Sequence, residues 1–90
     1  MIKLWKLYFI QEVGTGNIKI GIARKLTQRF YEIQTGNPNK LKLLGVAKFY
    51  SEYAVRKMES QLHAMFATQR IRGEWFASSE RLTQIATSAC

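Results

Sequence analysis

Four side chains in the first two-thirds of the chain could together carry out one kind of chemistry. Tyr8 and Lys19 lie in two successive strand-like segments, and Arg29 and Glu59 lie in two helix-like segments. A tyrosine can accept a proton from water, a lysine and an arginine can neutralise a phosphate, and a carboxylate can hold a divalent metal ion. A site that cleaves phosphodiester bonds with a single metal ion needs groups of these kinds.

The composition removes most competing chemistries. The 90 residues contain no Asp and one His, so Asp-Glu metal clusters, paired His ligands and a Ser-His-Asp triad are unavailable, although a Glu could replace the Asp of a triad. The turn at residues 14–17 lacks the Gly-Lys-Ser/Thr ending of a Walker phosphate loop. Cys90 is the only cysteine, which excludes a disulfide within the chain and a cysteine zinc site.

The charge of the chain indicates a polyanionic partner. Lys and Arg number 14 and the acids number 6, which gives a net charge of +8. This charge favours nucleic acid, although a basic ribosome-associated or membrane-surface protein would share it. No apolar run approaches the roughly 20 residues of a membrane span, and residues 1–10 have the pattern of a strand rather than of a signal peptide. We therefore expect no membrane partner and a cytoplasmic location, in a bacterium or a phage-infected cell.

Hydrophobic periodicity and turn residues divide the chain into alternating elements. Strands are predicted at 4–13, 18–23 and 40–49, and helices at 25–34, 53–67 and 78–89. Gly45 is typical of a bulge, residues 69–73 of a basic turn, and residues 74–76 of a short extended segment. We predict one domain over residues 1–90, with a core at about 7–76 and a C-terminal helix at about 78–89. Its fold class is α+β, with a small three-stranded, mostly antiparallel sheet flanked by helices in the order β-β-α-β-α plus the last helix.

The first two strands are predicted to form a hairpin that brings two of the candidate residues together. If Val13 faces Ile18 across a four-residue loop, Tyr8 and Lys19 lie on the same face of the sheet. A slip of two residues keeps this arrangement, whereas a slip of one residue destroys it. Gly21 lies on the same face and, lacking a side chain, is expected to leave space for a ligand.

The two main helices place their charged candidates at the margins of apolar stripes. Arg29 lies at the margin of the stripe in the first helix, which predicts a semi-buried side chain. Glu59 lies at the edge of the stripe in the second helix, which is formed by Val55, Met58, Leu62, Met65 and Phe66. His63 is one turn further along the same flank. It could orient Glu59, protonate a leaving oxygen, or simply pack against the core.

The order and spacing of these residues resemble those of the GIY-YIG nuclease superfamily, in its compact phage and bacterial branch. Tyr8-Phe9-Ile10 stands at the place of Gly-Ile-Tyr, and Lys19-Ile20-Gly21 at the place of Tyr-Ile-Gly. Arg29, eight residues after Gly21, matches the arginine of the family, and Glu59 matches its metal-binding glutamate. The resemblance covers roughly residues 7–76 and includes the motifs Thr35-Gly36-Asn37-Pro38, Leu62-His63-x-x-Phe66 and Gly73-Glu74-Trp75-Phe76.

The resemblance implies a DNA endonuclease that depends on Mg²⁺ or Mn²⁺ held by Glu59. Tyr8 would activate water, Lys19 would contact the phosphate and lower the pKa of Tyr8, and Arg29 would stabilise the pentavalent phosphate. The products would carry a 5′-phosphate and a 3′-hydroxyl. DNA contacts are expected at Arg24, Lys25, Arg29 and Asn37.

Two other functions remain open from the residues alone. Lys19 in place of tyrosine, and the altered first motif, fit a non-catalytic basic module that binds or regulates nucleic acid. A small basic protein-interaction domain is the third possibility. The chain leaves little room for a base-reading element, so sequence-specific cutting would need a homodimer, a separate partner or a larger parent protein. The alternative is relaxed cutting, or nicking of structured DNA. Glu74, Trp75 and Phe76 are expected to be structural, with Glu74 paired to a basic neighbour.

Overall fold

Five antiparallel strands form a single sheet in the computed structural model, which describes residues 3–89. The strands are β1 (Trp5–Glu12), β2 (Ile18–Ala23), β3 (Leu41–Phe49), β4 (Arg70–Arg72) and β5 (Trp75–Phe76). The helices are α1 (Leu26–Thr35), α2 (Glu52–Met65) and α3 (Glu80–Ser88), with a short 3₁₀ turn at Ala67–Gln69. The spatial order is β3-β1-β2-β5-β4. Cys90, the single cysteine of the sequence, lies outside the described residues.

The α+β class is confirmed, but the prediction of a three-stranded sheet is wrong. The segment predicted as a basic turn contains β4, and the short extended segment after it is β5. Ile18 pairs with Phe76 and Lys19 pairs with Trp75, so β5 extends the sheet beyond β2. Strands of three and two residues are too short to show an alternating pattern. They form because β5 pairs with the free edge of β2, and β4 then pairs with β5.

The hairpin of β1 and β2 has a different register from the predicted one but the same facing of side chains. Tyr8 lies opposite Gly21, a shift of two residues, because the loop already begins at Val13. The Val13 N–H donates to the Lys40 carbonyl rather than across the hairpin, and the side chain is 53% exposed. Since a two-residue shift preserves the facing, Tyr8 and Lys19 share a face as predicted.

Helices cover both faces of the sheet. On one face α2 and α3 pack on a core that includes Leu7, Phe9, Ile18, Ile20, Val55, Leu62, Phe66, Phe76, Leu82 and Ala86. On the other face α1 covers a smaller cluster around Tyr8, Ile10, Ala23 and Leu41. Four successive residues of β1, Leu7 to Ile10, are therefore buried, as expected for a strand covered on both sides. Within the described residues, no helix is long and apolar enough to cross a membrane.

Helix α2 buries three of the five residues of the predicted stripe. Val55, Leu62 and Phe66 are in the core, whereas Met58 is 37% exposed and Met65 is 49% exposed. The buried face runs from Val55 to Leu62 at the spacing i, i+4, i+7, and the intermediate position is Glu59. The carboxylate thus occupies a place in the helix where an apolar side chain would ordinarily pack. Ser51 caps the helix by accepting from the Ala54 N–H at 3.1 Å.

The predicted bulge in the third strand is confirmed. Phe9 pairs with Gly45 and Ile10 with Leu43, so Leu44 is the extra residue of β3. A Cβ atom at Gly45 would overlap the backbone carbonyl of Ala86 in α3. The missing side chain is therefore what lets α3 lie directly on β3.

Candidate functional site

The candidate site surrounds Ile20 of β2, directly after the two residues of β2 that pair with β5. Strand β5 pairs with β2 only at Ile18 and Lys19. At Ile20 the backbone N–H donates to the Glu74 carbonyl at 3.0 Å, and the backbone carbonyl lies 3.0 Å from His63 Nε2. A carbonyl only accepts, so Nε2 carries the hydrogen. Ile20 therefore holds both the turn between β4 and β5 and the last turn of α2, where His63 lies.

Two carboxylates and an imidazole meet beside this anchor. Glu59, His63 and Glu74 each offer a ligand atom, and these atoms lie within 4.8 Å of one another. Glu59 Oε2 is buried and has no hydrogen-bond partner among the described residues. Burial raises the pKa of the Glu59 carboxyl, and the neighbouring Glu74 raises it further. Bringing two carboxylates together costs free energy unless a cation or a shared proton lies between them. The group is thus suited to bind a cation or to share a proton between the two carboxyl groups.

The Tyr8 side chain extends from β1, the strand next to β2, toward the cluster of Glu59 and Glu74. The residue is 2% exposed and faces Gly21. A Cβ atom at Gly21 would overlap the Tyr8 hydroxyl and would lie 2.9 Å from Glu74 Oε1. The space above Gly21 is therefore filled by the phenol and the Glu74 carboxylate, and the expectation that it would be left for a ligand is wrong. Burial, Glu74 and Glu59 raise the pKa of Tyr8, whereas the Arg29 guanidinium opposes this rise.

Lys19 pairs with Glu74 rather than acting on Tyr8. Its Nζ lies 3.4 Å from Glu74 Oε1 and 5.5 Å from the centre of the Trp75 ring. The expected pairing of Glu74 with a basic neighbour is confirmed. The expected lowering of the pKa of Tyr8 is not found, because burial outweighs the cations and Glu74 adds negative charge beside the phenol.

Arg29 is more exposed than predicted. Half of its side-chain surface is accessible, and Nη1 lies 3.7 Å from Glu32 Oε1. The prediction of a semi-buried side chain is wrong because α1 has no fully buried residue, so the margin of its apolar stripe remains in solvent. The guanidinium nevertheless borders the same cleft as Tyr8 and Glu59.

A cleft of about 550 Å³ brings together four of the predicted site residues, Tyr8, Lys19, Arg29 and Glu59. Glu74 and several cationic side chains also line it; these cations are Arg24, Lys25 and Arg56. Arg24 lies with its guanidinium carbon 4.6 Å from the centre of the Trp5 ring, and that of Arg56 lies 5.8 Å from the same ring. The cleft therefore has cationic side chains around the carboxylates of Glu59 and Glu74, with Glu32 beside Arg29, and this distribution of charge suits a phosphate and a metal ion together.

Two predicted residues lie outside this cleft. His63 packs edge-on against Phe76, with ring centres 5.0 Å apart, and reaches the site through the cluster with Glu59 and Glu74. Asn37 borders a separate groove of about 650 Å³. Its Nδ2 donates to Glu12 Oε2 at 2.6 Å and its Oδ1 accepts from the Asn39 N–H at 2.8 Å. The Asn37 side chain is thus engaged in holding the loop after α1.

Glu74 is the site residue whose place sequence reasoning missed. The sequence predicts a structural role for Glu74, yet its carboxylate lies close to Glu59 and Lys19, and it borders the space above Gly21 together with the Tyr8 hydroxyl. A signal was available in the motif itself, because Glu74 follows a glycine and precedes two aromatics in a chain with only 6 acids. Trp5 and Arg56 gave no pattern that would have assigned them to the cleft.

Comparison with known proteins adds one finding to this geometry. The T5orf172 domain matches residues 6–89, which is nearly the whole chain. A search of curated proteins and a search of solved structures each gave no match. The chain therefore belongs to the T5orf172 domain family.

Proposed function

We propose that the protein is a divalent-metal-dependent endonuclease that hydrolyses DNA phosphodiester bonds through a GIY-YIG-type site. The T5orf172 domain is a nuclease-related family, which supports this class of activity. The net charge of +8 and the cationic side chains of the cleft support a nucleic-acid substrate. The clustering of Tyr8, Lys19, Arg29 and Glu59 in one cleft supports the GIY-YIG assignment.

The observation that carries the proposal is the buried Oε2 atom of Glu59. It has no hydrogen-bond partner among residues 3–89. One oxygen of the same carboxylate, one oxygen of Glu74 and a ring nitrogen of His63 lie within 4.8 Å of one another. A buried carboxylate oxygen without a partner lowers the stability of the fold, so its presence calls for an explanation, and a bound ion is one such explanation. Oxygen donors of this kind are what Mg²⁺ and Mn²⁺ prefer, so the residues fit the metal that the resemblance implies. Glu59 would hold that ion.

The side chains of the chain have separate tasks in the proposed reaction. Tyr8 accepts a proton from the attacking water, and Arg29 donates hydrogen bonds to the equatorial oxygens of the phosphate. Arg24 and Lys25 hold the flanking backbone of the DNA. A bound divalent ion supplies positive charge that stabilises a phosphoryl oxygen and counters the two carboxylates that raise the pKa of Tyr8.

Incubation with supercoiled plasmid tests the proposal. The wild-type protein is expected to nick the plasmid with Mg²⁺ or Mn²⁺ and to be inert with a chelator. Glu59→Gln keeps the shape of the side chain and should lower the rate by about 100-fold or more, because it removes the charge that holds the ion. Wild-type activity in Glu59→Gln, or cleavage in chelator, would contradict the assignment. A single site cuts one strand, so a double-strand break would require two subunits or two encounters.

The raised pKa of Tyr8 favours a second candidate function. A phenol that remains protonated at neutral pH is a poor base, which suits a module that binds or regulates DNA without cutting it. Salt-sensitive DNA binding, with no cleavage in either metal, would favour this function over the first.

A further inference from the structure

We infer that Glu59, His63 and Glu74 form a three-donor centre that binds a first-row transition ion such as Mn²⁺ more tightly than Mg²⁺, and that Lys19 competes with the ion for Glu74. The inference rests on the proposed function and deepens it. To Glu59 it adds His63 and Glu74 as ligands of the ion. It also assigns the site a preference for Mn²⁺ over Mg²⁺, and it identifies Lys19 as a residue that opposes binding of the ion.

The hydrogen bond of His63 prepares the ring for a metal. Nε2 donates to the Ile20 carbonyl at 3.0 Å, which leaves Nδ1 as the nitrogen with a free lone pair. Histidines that ligate metals ordinarily donate their other ring N–H to a carbonyl or carboxylate in this way, which fixes the tautomer and the orientation of the ring. The edge-on packing against Phe76 restrains the ring further.

Glu74 is held in place by the same residue that holds His63. Its carbonyl accepts from the Ile20 N–H at 3.0 Å. The preceding Gly73 adopts a positive φ of 54°, and its carbonyl accepts from Arg70 Nε at 2.8 Å, so the turn that carries Glu74 is fixed on both sides. Two of the donor residues are anchored to Ile20 of β2, and the third, Glu59, lies one helical turn from His63 on α2, so the backbone already holds the three donors near one another.

The mixture of donors decides the class of ion. Carboxylate oxygens suit both Mg²⁺ and Mn²⁺, and an imidazole nitrogen is a better ligand for a first-row transition ion, Mn²⁺ included, than for Mg²⁺. Mg²⁺ demands near-ideal octahedral geometry and retains most of its water, so it gains little from a protein that offers three donors including nitrogen. Mn²⁺ tolerates the mixed set and should bind without DNA.

Lys19 opposes the binding of a cation because it already neutralises one of the donors. Its ammonium lies 3.4 Å from Glu74 Oε1, and its side chain is 19% exposed, so the ion pair is only partly screened by solvent. A metal ion at Glu74 must share the carboxylate with Lys19 or displace it. An ammonium released in this way remains in the cleft, where a phosphate could accept from it.

Titration of the full chain with Mn²⁺ in the absence of DNA tests the inference. The electron paramagnetic resonance signal of free Mn²⁺ reports the unbound ion directly and does not depend on activity. Glu74→Gln and His63→Gln should each weaken Mn²⁺ binding by about 10- to 100-fold. Lys19→Met should tighten binding several-fold.

Glu80→Gln is the matched control. It removes the same charge from α3, outside the cleft, and should leave the affinity for Mn²⁺ within about twofold of wild type. Mg²⁺ should compete only at concentrations about 10-fold higher than Mn²⁺ or more.

Binding of Mn²⁺ by Glu74→Gln and His63→Gln at wild-type affinity would overturn the inference. If Glu59→Gln alone lost binding, the proposed nuclease function would stand with Glu59 as the only protein ligand. If the wild-type protein bound no Mn²⁺, the three-donor centre would be wrong, and the plasmid experiment would decide the nuclease function separately. Circular dichroism confirms that each variant is folded. Glu74, with 39% of its side chain exposed, keeps the test decisive if His63→Gln does not fold.

Discussion

At the scale of single residues, Glu59 is a carboxylate placed where it lowers the stability of the fold. It lies in the buried stripe of α2, between Val55 and Leu62, where an apolar side chain would stabilise the fold. Its Oε2 atom has no hydrogen-bond partner among the described residues, and its neighbour is a second carboxylate. Buried carboxylates without a hydrogen-bond partner and with a raised pKa are found mainly at functional sites.

Glu59→Gln is therefore expected to stabilise the protein in chelator at pH 7. The folded state raises the pKa of this carboxyl, so it binds a proton more readily than the unfolded state does. The cost is present in full above the folded pKa and disappears as the pH falls below the pKa of an ordinary Glu carboxyl. Thermal unfolding should show a Tm a few degrees higher for Glu59→Gln at pH 7, with the difference vanishing in acid. An unchanged or lower Tm at pH 7 would contradict the burial argument.

The raised pKa of Tyr8 predicts the pH dependence of cleavage. If the phenolate accepts the proton from water, its fraction grows tenfold with each pH unit below the pKa, so the rate should rise continuously from pH 6 to pH 9. Tyr8→Phe should lower the rate by about 100- to 10,000-fold and remove this slope. Single-turnover rates at fixed Mg²⁺ measure both. A flat profile in the wild type would exclude Tyr8 as the base.

The residue types of the site could be predicted from the sequence, but their surroundings could not. Tyr8, Lys19, Arg29 and Glu59 do line one cleft. What the sequence lacks is the partner of each group, because partners come from distant segments. Lys19 pairs with Glu74, 55 positions further along the chain, and that pairing redirects its charge away from Tyr8.

At the scale of elements, the long periodic segments were predictable and the short ones were not. Strands β1 to β3 and all three helices lie close to their predicted bounds, since each carries enough residues to show a period. Strands β4 and β5 have no period to show, and they form because β2 leaves an edge open. Glu74 lies in the turn between these two strands. The short strands therefore explain both the wrong number of strands and the missed position of Glu74.

The pairing of Tyr8 with Gly21 is the contact between elements that is most sensitive to change. Gly21→Ala would place a methyl group where the Tyr8 hydroxyl lies and 2.9 Å from Glu74 Oε1. We expect a loss of about 1–3 kcal/mol in the free energy of unfolding, together with loss of cleavage, because the phenol must move. Gly36→Ala is the matched control, since its Cβ would meet only backbone atoms at 3.8 Å or more. Equal stability of the two variants, measured in urea, would show that the contact is not tight.

At the scale of the whole molecule, the distribution of charge determines how DNA would bind. Only some of the 14 cationic residues line the cleft, and Arg24 is held there by stacking on Trp5 at 4.6 Å. Arg24→Ala should weaken DNA binding at every sequence and reduce the slope of log Kd against log salt by about 1. Arg81→Ala removes an exposed charge from α3, outside the cleft, and should leave the slope unchanged. Equal effects of the two variants would mean that the cleft is not the DNA surface.

Cutting and binding by the protein can be measured separately on one DNA substrate. A labelled duplex is bound in chelator to obtain Kd, and Mn²⁺ is then added to excess protein to obtain a single-turnover rate. We predict that wild type and Glu59→Gln bind the duplex with similar affinity, and that only the wild type cleaves it at an appreciable rate. Tight binding by the wild type without cleavage in Mn²⁺ or Mg²⁺, or cleavage at equal rates by both proteins, would contradict the claim that this carboxylate site hydrolyses DNA.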